Sequence, residues 1–118
     1  MVARFEARQV SYRVPLRALS ANQLYTGQRF KTPAYRKYLR DLHLLLPPME
    51  IPEGKLELKI VFGVSNARCD VDNLLKGTVD GLMAKYGFDD SRIYALMAHK
   101  VVVPKGQEYI DFAIGSAR

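Results

Sequence analysis

From Lys55 to Val64 the chain alternates: Leu56, Leu58, Ile60, Phe62 and Val64 fall on one parity, with Glu57, Lys59 and Val61 between them. A strand turns successive side chains to opposite faces, whereas a helix would scatter these five apolar residues around its circumference. The segment predicts a half-buried strand, and its apolar face requires a layer to cover it.

Two segments supply that layer. Thr32-Pro33 offers an N-cap followed by proline at the first helical position. Tyr35, Tyr38, Leu39, Leu42 and Leu45 follow at helical spacing until Pro47-Pro48 stops the helix. A second helix is predicted from Asp72 to Tyr86, with Leu75, Val79, Leu82 and Tyr86 as its core stripe and Gly87 just past its end. Val10, Tyr12 and Val14 read as a strand ending at Pro15. Residues 17–31 read as a loop. Ile93–Val103 and Tyr109–Ile114 read as two strands joined by a hairpin turn over Pro104–Gln107. The order β, α, β, α, β, β predicts an α+β fold, a single domain over residues 1–118 with about two helices on one face of a mixed sheet.

At 118 residues one core is the expected count, and 48% apolar content fills it. Eighteen Lys+Arg against twelve Asp+Glu leave a net charge of +6, which favours a polyanionic partner. No apolar run reaches the roughly 20 residues of a membrane span, and the first residues lack a signal-peptide layout. A single cysteine excludes an internal disulfide and fits a reducing cytoplasm; with only two histidines, a His/Cys zinc site is not expected.

Against this basic background four acids stand in two tight pairs, Asp70 with Asp72 and Asp89 with Asp90. An extended backbone would aim Asp70 and Asp72 to one side, with Cys69 and Val71 packed inward. Like charges converge at a cost unless a cation compensates them, and carboxylate oxygens suit a hard divalent ion such as Mg²⁺. The structural alternative makes Asp72 an N-cap worth about 1 kcal/mol, which needs only one of the pair. Asn73 either caps the same helix or hydrogen-bonds an acid.

Lys76 and Asp80 follow Asp72 at one-turn intervals. They form either a surface ladder worth about 0.3–0.5 kcal/mol per pair or an ammonium set beside phosphate oxygens. Asp80 is read as orienting Lys76 or a nearby backbone group. Asp89 and Asp90 form a turn or a second half of the acid cluster, if the strand they precede begins near Asp72. Gly77 and Gly81 each cost a helix about 1 kcal/mol and imply close approach of a strand beneath or a partner subunit. Arg36, Lys37 and Arg40 make either a solvated helix face or a phosphate-contacting one.

Asp70, Asp72, Asn73, Leu74, Lys76, Asp80 and Leu82, followed by Gly87, Asp89 and Asp90, resemble the signature of the RusA family of Holliday junction resolvases. Ser20, Asn22 and Tyr25 resemble the family's N-terminal segment, so the likeness runs from about Tyr12 to the end. Cys69 departs from an often basic position, and the stretch from Gly87 to the acid pair is shorter. By its distance from the following strand, Asp90 matches the family acid better than Asp89.

The resemblance implies a RusA-like endonuclease that uses Mg²⁺, with Mn²⁺ able to substitute, to resolve four-way junctions in branched DNA during recombination and repair. It implies Asp70, Asp72 and Asp90 as metal ligands and Lys76 as the catalytic cation. Asn73, Asp80 and Asp89 would stand around them. Lys100 matches a lysine of the family strand and, with Arg68, Arg29 and Lys31, would contact backbone phosphates. Paired symmetric nicks from a chain with one acid cluster imply a homodimer. A phage or prophage origin fits such a protein. The rival readings are a non-catalytic basic DNA-binding protein and a metal nuclease acting on forks or flaps.

Binding through a +6 surface is expected to weaken steeply as salt rises and to need no metal. Removing one phosphate contact, as in Arg68→Ala, should flatten the slope of log affinity against log salt by about one unit. Salt titrations of junction binding in EDTA measure both quantities, and a flat response would count against a DNA-binding surface.

Overall fold

The computed structural model describes residues 11–27 and 30–117. The alternating segment becomes the central strand of a four-stranded sheet. In chain order the elements are β1 (Tyr12–Val14), a 3-10 turn (Ala21–Gln23), β2 (Tyr25–Thr26), β3 (Phe30–Lys31) and α1 (Pro33–Leu45). Then come β4 (Leu56–Val64), α2 (Asp72–Tyr86), a second 3-10 turn (Asp90–Arg92), β5 (Ile93–Val102) and β6 (Tyr109–Ser116). The sheet order is β1-β6-β4-β5, and β2 with β3 forms a separate ribbon. This is the α+β arrangement, with a mixed sheet and two helices, that the alternation called for.

β4 is central because its apolar parity has most to bury. Leu56, Leu58, Ile60 and Phe62 are essentially inaccessible and join Tyr35, Tyr38 and Leu42 of α1, Leu82 of α2, and Ile110 and Phe112 of β6 in one cluster. β6 pairs antiparallel with β4, setting Ile114 opposite Leu58 and Ile110 opposite Phe62. β5 pairs parallel with β4, Leu96 beside Leu58 and Val102 beside Val64. Arg13 of β1 holds Asp111 of β6 through both carboxylate oxygens, at 2.7 and 2.9 Å, and lies over the Tyr109 ring.

Several expectations change. β5 and β6 are not a hairpin: β4 lies between them, and the connection from Val103 to Glu108 crosses the end of β4, with Val103 N–H on Val64 O at 2.7 Å. Pairing both strands to β4 buries its edges on either side, which a hairpin could not do. The stretch read as a loop contains the first 3-10 turn and the β2–β3 ribbon. Leu45 is exposed at the end of α1, and Val10 lies outside the described residues.

The packed stripe of α2 is Leu74, Gly77, Thr78, Gly81 and Leu82, so Leu75 and Val79 sit at its margin. The glycines explain the rotation. A Cβ on Gly81 would overlap Leu42 Cδ1, and one on Gly77 would stand 3.3 Å from Leu24 Cδ2 and 3.4 Å from Tyr38. What approaches closely is α1 and the segment before it, neither a strand beneath nor a partner subunit. Thr78 is fully buried among them, its hydroxyl shared with Tyr38 at 2.8 Å and with Leu74 O at 3.0 Å. Among the described residues no helix is long and apolar enough to cross a membrane.

Gly81→Ala is expected to destabilise the protein. Helix propensity returns about 1 kcal/mol, but displacing buried Leu42 costs about 1–3 kcal/mol. Gly77→Ala meets ordinary or slightly tight contacts and should be near neutral. Urea denaturation of the two variants beside the parent separates them.

Candidate active site

The loop from Ser65 to Val71 carries the first acid pair from the end of β4 to the start of α2. Asn66 Oδ1 accepts from Arg68 N–H at 2.9 Å and Asn66 O from Cys69 N–H at 3.3 Å, which folds the loop on itself. Lys100 of β5 then fastens it, donating from Nζ to Ala67 O and Cys69 O, both at 2.6 Å. The sequence suggested Lys100 as a phosphate ligand. Here two of its three donors hold the backbone that presents Asp70.

The backbone at this point is not extended. Val71 has helical angles, φ −60° and ψ −43°, and Asn73 and Leu74 N–H close turns onto Asp70 O and Val71 O. Burial nevertheless alternates as expected: Cys69 and Val71 pack against the core while Arg68, Asp70 and Asp72 face solvent. Val71 is the N-cap residue and makes no side-chain cap bond. The capping role that would have explained Asp72 or Asn73 is therefore not filled by either. Neither Asp70 nor Asp72 makes an ion pair or side-chain hydrogen bond to another described residue. Asp72 sits in the first turn of α2, where the helix dipole favours negative charge.

Lys76 follows one turn later, half-exposed, with Nζ 3.4 Å from Asp80 Oδ2. The same oxygen accepts from the Tyr35 hydroxyl at 2.6 Å. Tyr35 is 1% exposed, and burial followed by the Asp80 carboxylate pushes its hydroxyl well above the usual tyrosine range. Asp80 thus joins a core tyrosine of α1 to the lysine of α2.

Asp89 and Asp90 lie elsewhere. β5 begins directly after the turn that Asp90 opens, and Ile93 registers with Leu56, the first residue of β4. Arg92 anchors this corner by donating to Gly54 O at 2.9 Å and to Pro52 O. Asp70 and Asp72 follow Val64, the last residue of β4. The expectation that β5 starts beside Asp72 is overturned, because a parallel pair forces its crossover helix to carry the chain back along the strand. The two acid pairs thus lie at opposite ends of β4, whose nine residues span roughly 25–30 Å. Among the described residues no three His, Cys, Asp or Glu side chains gather to hold a metal ion. Asp89 is committed to capping, its carboxylate accepting from Ser91 N–H at 3.0 Å and held below the usual range mainly by Ser91.

A cavity of about 300 Å³ opens beside Asp70. Its walls come from three connections, Arg17 to Gln23, Ser65 to Asp70 and Glu108 after the crossing loop, together with Gly63 and Val64 at the end of β4 and Asn73 and Leu74 at the start of α2. Sequence reading noted Ser20 and Asn22 only as a likeness. It missed Arg17, Ser65 and Glu108, since nothing in the sequence says that β6 delivers Glu108 to the end of β4. Arg68 is exposed on the same rim. Lys31 is exposed on β3, 5.9 Å from the Tyr35 ring, and Arg29 lies outside the described residues.

A family model described as Endodeoxyribonuclease RusA matches residues 14–110. No curated protein matches the chain.

The Tyr35–Asp80 bond joins a buried hydroxyl to a carboxylate, and such bonds contribute about 1.5–3 kcal/mol. Tyr35→Phe should lower stability by that order. A double-mutant cycle with Asp80→Ala should return a coupling energy of at least about 1 kcal/mol, read from denaturation curves. A coupling near zero would mean that Asp80 is held by Lys76 alone.

Proposed function

Because the chain belongs to the RusA family of endodeoxyribonucleases, we propose that it is a metal-dependent nuclease that resolves four-way DNA junctions as a two-fold dimer. What carries this reading is the state of Asp70 and Asp72: two exposed carboxylates at a helix start, unpaired with any described residue and filling no cap, with Lys76 one turn on. Exposed acids that no described residue pairs with, on a basic protein, suit a cation that meets phosphate.

The donor set fits Mg²⁺, which binds proteins through one or two carboxylates and completes its shell with water and phosphate oxygens. Asp70 and Asp72 would hold it. A divalent ion bound there supplies Lewis acidity to the scissile phosphate and its attacking water. Lys76 places an ammonium where charge grows on the departing oxygen, and Asp80 with Tyr35 limits its wandering. Lys100 keeps the Asp70 backbone in place. Arg68, Arg17 and Lys31 attract the phosphate backbone without reading sequence.

Asp90 joins this set through the second copy. Among the described residues β5 is an edge of the sheet, ten residues long, and it exposes Tyr94, Leu96, Met97, Val101 and Val102. A long apolar edge with free N–H and C=O groups is a template for another strand. A strand that pairs with its own two-fold copy must run antiparallel. The start of one β5 then lies beside the end of the other, so the partner's Asp90 approaches the loop that Lys100 ties to β5. Each dimer would carry two complete sites, one for each nick.

The assay is cleavage of a synthetic four-way junction, a fork and a linear duplex, with Mg²⁺ and with EDTA. Junction cutting that needs the metal is expected; cutting of the fork in preference to the junction would move the substrate assignment. Asp70→Asn and Asp72→Asn should each abolish cleavage while junction binding persists, and wild-type rates in both would end the nuclease reading. Mixing Asp70→Asn with Asp90→Asn protein should restore nicking, because half of the sites in a mixed dimer combine the two intact acids. If each site lay within one chain, no mixture could restore it.

A further inference from the structure

The cavity beside Asp70 has a composition that the chemistry of phosphate cleavage does not require. Gly63, Val64 and Leu74 are buried residues of its lining, while Asn22, Asn66 and Asn73 add amide groups. A cavity of about 300 Å³ is at the small end of the roughly 300–1,000 Å³ range of ligand sites. Within it the Glu108 carboxylate is pinned by Ser65 Oγ at 2.7 Å and by Gly106 N–H at 2.9 Å. Those bonds, with Ser65 first, hold its pKa below the usual range, so it is anionic at neutral pH. Asp70 contributes a second carboxylate. Two anions bar a phosphate from the interior, yet Arg17 and Arg68 line the same cavity, both exposed to solvent. The ligand that fits is neutral where it enters and anionic where it leaves.

We infer that the cavity receives one unstacked base of the DNA strand, leaving its phosphate outside between Arg17, Arg68 and the Asp70 loop. A base within a duplex is shielded by its neighbours and cannot enter a concave site, so entry requires a nucleotide that has left the stack. Nucleotides where strands exchange at a branch point are the ones that leave most readily. Apolar contact from Leu74 and Val64 and hydrogen bonding from the amide side chains and Glu108 are the means by which flipped bases are read elsewhere. The cavity thereby ties placement of the scissile phosphate to the identity of one neighbouring base. Its free amides include that of Asn22, whose side chain bonds to no other described residue, whereas Gln23 is partly engaged by Ser20 N–H at 3.4 Å.

This inference rests on the nuclease reading, and the test separates the two. 2-Aminopurine, which brightens when unstacked, is placed at successive positions around the cut in a four-way junction, and fluorescence is read at saturating protein in EDTA. One position beside the cut should brighten severalfold, and changing the natural base there should alter the cleavage rate in Mg²⁺. Asn22→Ala, at an exposed position, should dim that signal, and Ala18→Leu, which intrudes on the cavity, should remove it. A junction that is bound and cut while every position stays dark overturns the base pocket and leaves the nuclease standing. A signal that both variants leave at wild-type brightness puts the unstacked base elsewhere and also overturns it. Protein that neither binds nor cuts junctions overturns both readings.

Discussion

The parallel pairing of β4 with β5 governs the rest of the molecule. Parallel neighbours cannot be joined by a tight turn, so α2 must cross the sheet between them, and it starts where β4 ends. The crossover fixes Asp70, Asp72 and Lys76 at one end and Asp89 and Asp90 at the other. It also leaves β5 at the edge of the sheet among the described residues, since β6 occupies the far side of β4. Separation of the acids and exposure of the edge are two results of one topological choice, and the two-fold dimer proposed above would answer both.

Packing above the sheet depends on how near the helices come to one another. Gly77 and Gly81 remove two side chains from the face of α2 that meets α1, and Leu42, Tyr38 and Leu24 occupy the space. The helix propensity lost at two glycines is exchanged for burial of three large apolar side chains. The same approach brings Tyr35 within hydrogen-bonding reach of Asp80. A core contact between helices therefore reaches the lysine beside the acids through one carboxylate oxygen.

Much of this was legible in the sequence where the signal is local. The alternation through Phe62, the Thr32-Pro33 start of α1 and the Gly87 stop of α2 each depend on neighbours within one or two turns of chain. Asp70, Asp72 and Lys76 stood out for the same reason. Sequence reading went astray wherever pairing partners decide the outcome. Ile93–Val102 and Tyr109–Ser116 look like a hairpin because they are adjacent in sequence, yet each prefers the more apolar β4. The place of Asp90 followed that error, since the direction of β5 cannot be read from its residues. Lys100 reads as a surface cation, and only the fold shows its ammonium on Ala67 and Cys69 carbonyls. The resemblance to the family signature held because it rests on spacing within the chain rather than on topology.

Much of the cavity wall is built from a different kind of structure than Asp72 and Lys76, and Asp70 stands on the connection that joins the two. Asp72 and Lys76 are borne by a helix packed through its glycines, where an insertion would disturb the core. Arg17, Ser20, Asn22, Ser65, Asn66 and Glu108 belong to connections or lie at their ends. Connections tolerate changes of length and residue that helices and strands do not. Evolution can thus alter these wall residues while the acids stay fixed, so divergence within such a lineage should collect in the connections away from Asp70 and leave the stretch from Asp70 into the start of α2 as its slowest-changing part.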